Sequence, residues 1–331
     1  MDLFEKLFSK RDWKRPTSSC IYAGVIVILC LLPLIIRSPY LIHIFILTFI
    51  TIIATVSLRT ITISGQFPLA HGAFMGIGGY VAAVPSRWFG WSPWLTIPLG
   101  AFTAMGIGVL IGYPFARLRA IYYDMVSLFF GIGVLQVFFV FQRWTNAYHG
   151  LTGIPPLLSV TSKLPYYYLF LGLTVLCLLV LYRFEFCRIG MTLKAIEQSH
   201  LVASSIGINE ARFRVLVLAV GCFFVGLSGG AYAHYTRTLS YTSFDLLATL
   251  WLFMYVLIGG IGSFNGPIIG TTLLVVVPEL LRGMKQFVPY ISAAILLVVV
   301  FVMPDGIVGL PQLVKSGFLR WRKRERVTQA S

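Results

Sequence analysis

Long apolar runs, separated by short polar segments, recur along most of this 331-residue chain and decide what it can fold into. Hydrophobic residues make up 58% of the chain and charged residues only 11%, which leaves too little polar surface for a water-soluble globule. Because a helix needs roughly 20 apolar residues to cross a hydrocarbon core of about 30 Å, each run predicts one membrane-spanning helix. The sequence therefore predicts an all-α integral membrane protein.

About ten transmembrane helices follow from these runs. In chain order the runs are 21–36, 41–58, 67–84, 94–113, 122–141, 166–182, 213–232, 247–262, 267–281 and 287–303. With the N-terminus in the cytoplasm, 19 of the 26 Lys and Arg residues fall in predicted cytoplasmic segments and 7 in predicted outer segments. This bias follows the positive-inside rule, so we expect both termini to be cytoplasmic.

The predicted organisation has three parts. A cytoplasmic N-terminal segment at 1–20 precedes a transmembrane domain at 21–303, and a basic cytoplasmic tail follows at 304–331. The transmembrane domain includes a cytoplasmic loop at 184–213. The first apolar run lacks a small-residue cleavage site, so we expect it to be retained as a helix and not removed as a signal peptide.

This cytoplasmic loop is the only long polar stretch that the topology places between spanning helices on that side. Its apolar residues recur at roughly helical spacing, and they are Ile189, Leu193, Ile196, Ala203 and Ile206. Such spacing is typical of a short amphipathic helix, which predicts a docking element for a cytoplasmic partner.

The sequence lacks the motifs by which a transporter energises itself. It contains no G-x-x-x-x-G-K-[ST] phosphate-binding loop. Of the eleven carboxylates only Asp124 and Glu279 fall within predicted spans, each near an end, whereas ion-coupled carriers keep acids at mid-membrane. An ion-coupled secondary transporter acting without an ATPase is the weaker alternative, and a membrane enzyme is disfavoured because the acids are scattered. The five cysteines show no C-x-x-C pattern and predict no metal site.

Two glycine clusters interrupt the apolar pattern, at 64–80 and at 259–270. They lie in different halves of the chain, which weakly suggests two structural repeats. Irregular backbone at membrane depth survives where it lines a cavity, but small residues also allow close helix packing. Both interpretations stay open for these clusters. Packing is also suggested by the pairs Gly108 with Gly112 and Gly226 with Gly230.

Four motifs, in this order, give the chain a resemblance to a known family. They are the segment Gly65–Tyr80, the loop from Arg188-Ile189-Gly190 through Ala195-Ile196 to Gly207-Ile208-Asn209, the turn Gly259–Pro267, and the run Pro278-Glu279-Leu280-Leu281-Arg282. From about Leu41 to Leu310, the chain resembles the membrane permease subunits of branched-chain amino acid ABC importers, of the LivM-like type.

The resemblance implies a type II-like ABC importer permease fold with a weak two-fold internal repeat, in the plasma (inner) membrane of a bacterium or archaeon. It implies a permease that moves a branched-chain or related small amino acid into the cytoplasm by alternating access. The implied partners are two cytoplasmic ABC ATPases, a second permease subunit that is a distinct homologue, a soluble substrate-binding protein and membrane lipid, with no nucleic acid. The chain itself is expected to be no enzyme and to bind no cofactor, because the partner subunits use the ATP.

The resemblance also implies where the ATPase contact lies, since in that family the loop after helix 6 carries the coupling helix. The matching positions are Arg188, Gly190, Leu193, Ala195, Ile196, Glu197, Ala203 and Gly207.

A substrate pathway is a further hypothesis, drawn from polar or bulky residues at the helix breaks. Its candidate residues are Gly65, Gln66, Phe67, His71, Asp124 and Asn265. His71 is equally compatible with buried helix packing. Asp124 either contacts the amino group of a substrate or pairs with the nearby Arg117 and Arg119 at the start of a helix, and the structural role is favoured.

Overall fold

The computed structural model of the chain describes residues 16–35, 38–118, 121–146, 149–158, 160 and 162–280, together with the single residues 290, 297 and 307. Within these residues the fold is almost entirely helical. The α-helices are α1 (Pro16–Ile35), α2 (Pro39–Thr62), α3 (His71–Trp88), α4 (Pro93–Phe115), α5 (Ile121–Val140), α6 (Gln142–Thr145), α7 (Leu164–Phe186), α8 (Arg188–Gln198), α9 (His200–Ser205), α10 (Glu210–Thr236), α11 (Leu246–Gly259) and α12 (Gly266–Leu280).

Six helical segments in the described part of the chain are long and apolar enough to cross a membrane. They are Pro39–Thr62, Pro93–Phe115, Ile121–Val140, Leu164–Phe186, Glu210–Thr236 and Tyr241–Gly259. A mostly helical fold with several candidate spans is thus confirmed. Nine of the ten predicted runs overlap helices, and the tenth, 287–303, lies outside the described residues except for Tyr290 and Leu297, as do 1–15 and most of the tail. The count of about ten spans and the internal repeat stay predictions.

Two helices extend further into the predicted cytoplasmic loop than their apolar runs indicate. Helix α7 continues to Phe186 and so includes Glu185, and α10 begins at Glu210. The helices thus extend about one helical turn past the predicted loop boundaries, 184 and 213, at each end, and the boundaries themselves stay a prediction. The physical reason is that an apolar run stops at the first charged residue, whereas a helix continues when that residue is paired or caps its end.

Two helix starts also differ from the prediction. Helix α1 already includes Pro16, the first described residue, and so extends into the segment predicted at 1–20. Helix α3 begins at His71 and not at Phe67, because Gly65 adopts φ of +75° and the chain turns through Pro68 before the helix starts.

The core is built around α10, which packs against α2, α3 and α4. Glycines allow the close approach: a Cβ at Gly78 would overlap the backbone of Gly226, and a Cβ at Gly229 would overlap the Met75 carbonyl. A Cβ at Gly108 would lie 2.8 Å from Cys222 Sγ on α10. The packing interpretation is confirmed for these glycines.

At the predicted outer end, a short antiparallel pair of strands joins two distant loops. Strand β1 (Leu151–Thr152) pairs with β2 (Thr238–Leu239), with Leu151 opposite Leu239. After β2 the chain forms a 3-10 turn at Tyr241–Phe244 and then begins α11. These connections keep the start of α11 inside the helical core, since Phe244 is buried.

Candidate functional site

The predicted coupling loop folds as two short helices, α8 and α9, between α7 and α10. Ser199 separates them: its backbone is extended, with φ of −160°, and its hydroxyl oxygen accepts a hydrogen bond from the Val202 N–H at 3.4 Å. Serine is a favoured N-cap, so the local sequence starts a second helix here. The predicted short amphipathic helix is therefore present as α8, but it does not continue to Ala203 and Ile206, which lie on or beside α9.

The inner face of this two-helix segment is buried against the protein. Leu193 packs with Ile63 and Val217. Next to this group lie Ile189 of α8 itself and Phe184 and Phe213 near the ends of α7 and α10. Ile196 and Ala203 are buried as well. A Cβ at Gly190 would overlap the backbone of Glu185, so only glycine fits. Four of the eight predicted coupling residues, Gly190, Leu193, Ile196 and Ala203, thus anchor the segment.

The face of the same segment that points away from the rest of the protein, here called its outer face, is apolar and exposed. Met191 is 45% exposed, Val202 61%, Leu201 67% and Ile206 71%. Ile206 was expected on the same face as Leu193, but the break at Ser199 interrupts the helical period and turns it outward. Exposed aliphatic side chains grouped in this way mark interaction surfaces. We call these four residues the outer apolar patch. The other predicted coupling residues, Arg188, Ala195, Glu197 and Gly207, are also exposed.

Gly207 ends α9 in a Schellman motif. Its φ is +84°, its N–H donates to the Ser204 carbonyl oxygen at 3.0 Å, and the Ile208 N–H donates to the Ala203 carbonyl oxygen at 3.1 Å. An added Cβ would meet nothing within 4 Å, so glycine is needed here for backbone conformation and not for space.

Three of the predicted pathway residues, Gly65, Gln66 and Phe67, lie in the turn between α2 and α3, and a fourth, His71, begins α3. Gly65 packs beside Glu197 of α8, Gln66 is buried, and Phe67 is exposed. His71 is fully buried at the start of α3, where its Nε2–H donates to the Ala54 carbonyl oxygen of α2 at 3.1 Å. This burial and this hydrogen bond favour the helix-packing interpretation of His71, and its place on a substrate pathway stays a prediction.

Asp124 braces this turn from the start of α5. Its carboxylate lies near the Phe67 N–H, its carbonyl oxygen accepts a hydrogen bond from Ser127 Oγ at 2.8 Å, and Ser127 Oγ accepts one from the Leu69 N–H at 3.1 Å. The described residues show no ion pair between Asp124 and Arg117, and Arg119 lies outside them. The expected pairing with Arg117 is thus not seen, the pairing with Arg119 stays a prediction, and Ser127 on the same turn of α5 supports the backbone at Leu69. Asn265 lies apart from these residues, in the turn between α11 and α12.

Sequence reasoning missed a buried ionic cluster that joins three elements. The guanidinium of Arg59, at the end of α2, donates two hydrogen bonds to the carboxylate of Glu185, from Nη1 to Oε2 and from Nη2 to Oε1 at 3.0 Å. Lys194 of α8 donates to Oε1 of the same carboxylate at 2.9 Å. The side chains of Arg59 and Glu185 are 2% exposed and that of Lys194 is 35% exposed. Charged residues at the predicted ends of apolar helices were the available signal.

A second missed feature is a narrow cleft between α3, α5 and the start of α11, with room for about one water molecule. Its walls are apolar except for Asp245 and Thr249. Asp245 Oδ1 accepts from the Ala248 N–H at 3.0 Å and so caps α11, and Thr249 Oγ1 accepts from the Gly72 N–H of α3 at 2.9 Å. Asp245 was missed because it precedes the apolar run at 247–262.

The fold and these sites can be set beside known proteins. Over residues 40–304 the chain matches the family described as branched-chain amino acid transport system / permease component. The chain belongs to this family. The resemblance predicted from the four motifs is confirmed.

Curated relatives of this transport permease agree with the family match. The chain is 26% identical over 302 residues to the high-affinity branched-chain amino acid transport system permease protein LivM of Salmonella typhimurium, covering 82% of this chain and 71% of that protein. It is 27% identical to LivM of Escherichia coli strain K12 over the same length. It is also 26% identical over 281 residues to LivH of Salmonella typhimurium, covering 76% of this chain and 89% of that protein. No solved structure matches the chain.

Metal chemistry finds no support in the described part of this transport permease. Among the residues that the structure describes, no group of three or more His, Cys, Asp or Glu side chains is arranged to hold a metal ion.

Proposed function

We propose that this protein is the transmembrane permease subunit of an ABC importer that moves a branched-chain amino acid, or a related small amino acid, into the cytoplasm. In this proposal the protein lies in the plasma membrane of a bacterium or archaeon, and both of its termini lie in the cytoplasm. The chain performs no ATP hydrolysis itself, and ATPase subunits supply the energy. Membership of the branched-chain amino acid permease family, and the names of its relatives in that family, support an amino acid as the substrate.

The observation that carries this proposal is the outer apolar patch on α8 and α9. Its four residues, Met191, Leu201, Val202 and Ile206, face outward on the predicted cytoplasmic side, while the inner face of the same segment is packed into the protein. An element that is firmly anchored on one face and apolar on the other is suited to transmit force from a docked subunit. We assign the docked subunit as a cytoplasmic ABC ATPase.

The transport cycle in this proposal is alternating access. When the two ATPases bind ATP and close, they move α8 and α9, which we call the coupling segment. The helix bundles then rock and open a central path first outward and then inward. The pathway runs past the helix breaks at Gly65–Phe67 and near Asn265. A soluble binding protein delivers the substrate at the outer face. Similarity to both LivM and LivH supports pairing with a second, distinct permease subunit.

Copurification from native membranes tests the docking site. The tagged parent protein should bring down an ATPase and a second permease, and the double variant Leu201→Ser with Ile206→Ser should lose the ATPase but keep the second permease. The variant Gln198→Ser changes an exposed polar residue of the same segment and should retain both.

Two results would contradict the proposal. Retention of the ATPase by the double variant would exclude the outer apolar patch as the docking surface. If the parent protein purifies without any partner and transports its substrate in liposomes in response to an ion gradient, the secondary-transporter alternative replaces the importer.

A further inference from the structure

The ionic cluster of Arg59, Glu185 and Lys194 connects the coupling segment to a distant turn of the permease. Lys194 lies on α8, next to the outer apolar patch, and donates to Glu185 on the last turn of α7. Glu185 in turn holds Arg59 at the end of α2 through two hydrogen bonds. Three elements therefore meet at one carboxylate.

Arg59 makes two further contacts, both to the turn between α11 and α12. Its Nε–H donates to the Ile261 carbonyl oxygen at 2.9 Å, and its guanidinium carbon lies 5.9 Å from the centre of the Phe264 ring. The facing ends of α11 and α12 are closely packed at this turn, because a Cβ at Gly259 would overlap the backbone of Gly266 and a Cβ at Gly266 would overlap the carbonyl oxygen of Gly260. A displacement of Arg59 is thus passed to the ends of α11 and α12.

At its other end, α11 forms one wall of the cleft that contains Asp245 and Thr249. Helix α11 has 14 residues and lies between the turn held by Arg59 and the cap formed by Asp245. The ionic cluster therefore lies at the C-terminal end of α11, and the cleft wall with Asp245 and Thr249 lies at its N-terminal end.

We infer that Arg59, Glu185 and Lys194 are positioning residues that convert movement of the coupling segment into movement of α11. This inference rests on the proposed function. A purely structural salt bridge needs only Arg59 and Glu185, which are both buried. Lys194 is the distinguishing member, because it is partly exposed and joins the pair to the coupling helix alone.

The test uses the complete transporter, purified with its ATPases, second permease and binding protein and reconstituted in liposomes. We measure ATP hydrolysis and L-leucine uptake together and compare the leucine transported per ATP. Lys194→Met keeps the buried Arg59–Glu185 pair and should retain assembly and ATP hydrolysis within about twofold, while leucine per ATP falls at least about fivefold. Lys194→Arg should restore the ratio, because a guanidinium can also donate to the carboxylate.

Two controls separate coupling from general effects. Arg212→Met removes an exposed positive charge on the same predicted side and should leave leucine per ATP unchanged. Arg59→Met combined with Glu185→Met removes the buried charges together, so that no lone charge is left, and should assemble but show the same low ratio as Lys194→Met.

The outcomes are distinct. If the parent complex contains no ATPase or takes up no leucine, the proposed function fails and this inference fails with it. If the parent is active and Lys194→Met keeps the parental ratio, only the coupling role is overturned, and the cluster is structural.

Discussion

Replacing Glu185 by alanine should cost far more stability than replacing Lys194 by methionine. The change leaves the Arg59 guanidinium, which is 2% exposed, with a backbone carbonyl and an aromatic ring as its remaining described contacts. Removing one partner of a buried ion pair costs about 3–5 kcal/mol, because the other charge stays in the interior uncompensated. The Lys194 side chain is 35% exposed, so its contribution to stability is that of a screened pair, about 1 kcal/mol or less.

The double variant Arg59→Met with Glu185→Met sharpens this prediction. Replacing a buried pair by apolar side chains of similar volume is nearly neutral, whereas two independent losses would sum to roughly 6–10 kcal/mol. We therefore expect the double variant to be more stable than the single variant Glu185→Ala.

The assay heats detergent-purified protein and follows it by size-exclusion chromatography. It measures the temperature at which half of the protein no longer elutes as a single species. At about 2–4 °C per kcal/mol, Glu185→Ala should lower this temperature by roughly 6–20 °C and Lys194→Met by about 4 °C or less. The reasoning is refuted if the two variants lose the same amount, or if the double variant falls to the sum of its single changes. Either result would mean that an uncompensated buried charge is not the source of the cost.

The remaining predictions concern backbone and capping positions. Gly207→Ala should destabilise the end of α9 by about 1–2 kcal/mol, because its φ is +84°, and hydrogen exchange of the Ile208 amide should become faster. Gly229→Ala should prevent normal assembly, since its Cβ would overlap a backbone carbonyl, whereas Gly172→Ala meets nothing within 4 Å and should behave as the parent in size-exclusion chromatography. Asp124→Asn should transport normally, because the backbone carbonyl of residue 124 still accepts from Ser127 Oγ and Ser127 Oγ still accepts from the Leu69 N–H; a complete loss of uptake would favour substrate contact.

The helices of this protein could be predicted from the sequence because membrane insertion depends on local composition. An apolar run long enough to span the membrane predicts a helix by itself, and the prediction does not depend on contacts with distant residues. The first glycine break was predicted for the same reason, since Gly65 and Pro68 act on their own backbone. The buried face of the coupling segment was found from the spacing of Leu193 and Ile196.

Ile206 shows where local spacing fails. It continues the helical spacing of Leu193 and Ile196, but Ser199 starts a new helix between them and the face rotates. A capping serine inside an amphipathic pattern was visible in the sequence, yet its effect on the later residues depends on how the two helices pack.

The ionic cluster could not be predicted, because its members are far apart in sequence. Arg59 and Glu185 are separated by 126 positions, and each was interpreted as part of a cytoplasmic loop. A charged residue at a helix end has the same local signature whether it is solvated or paired. Only the packing of α2 against α7 brings these two side chains together and makes their burial tolerable.

Helix α11 shows why these long-range contacts matter for function. It is about 20 Å long, and it is tied at one end by the hydrogen bond from Gly72 to Thr249 and at the other by the bond from Arg59 to Ile261. A continuous helix of this length resists bending because its backbone hydrogen bonds are internally satisfied. A shift imposed near Ile261 must therefore tilt or translate the whole helix and change its contact with α3 at Thr249. Because the cleft has room for only about one water molecule, we expect even a small tilt of α11 to change its volume.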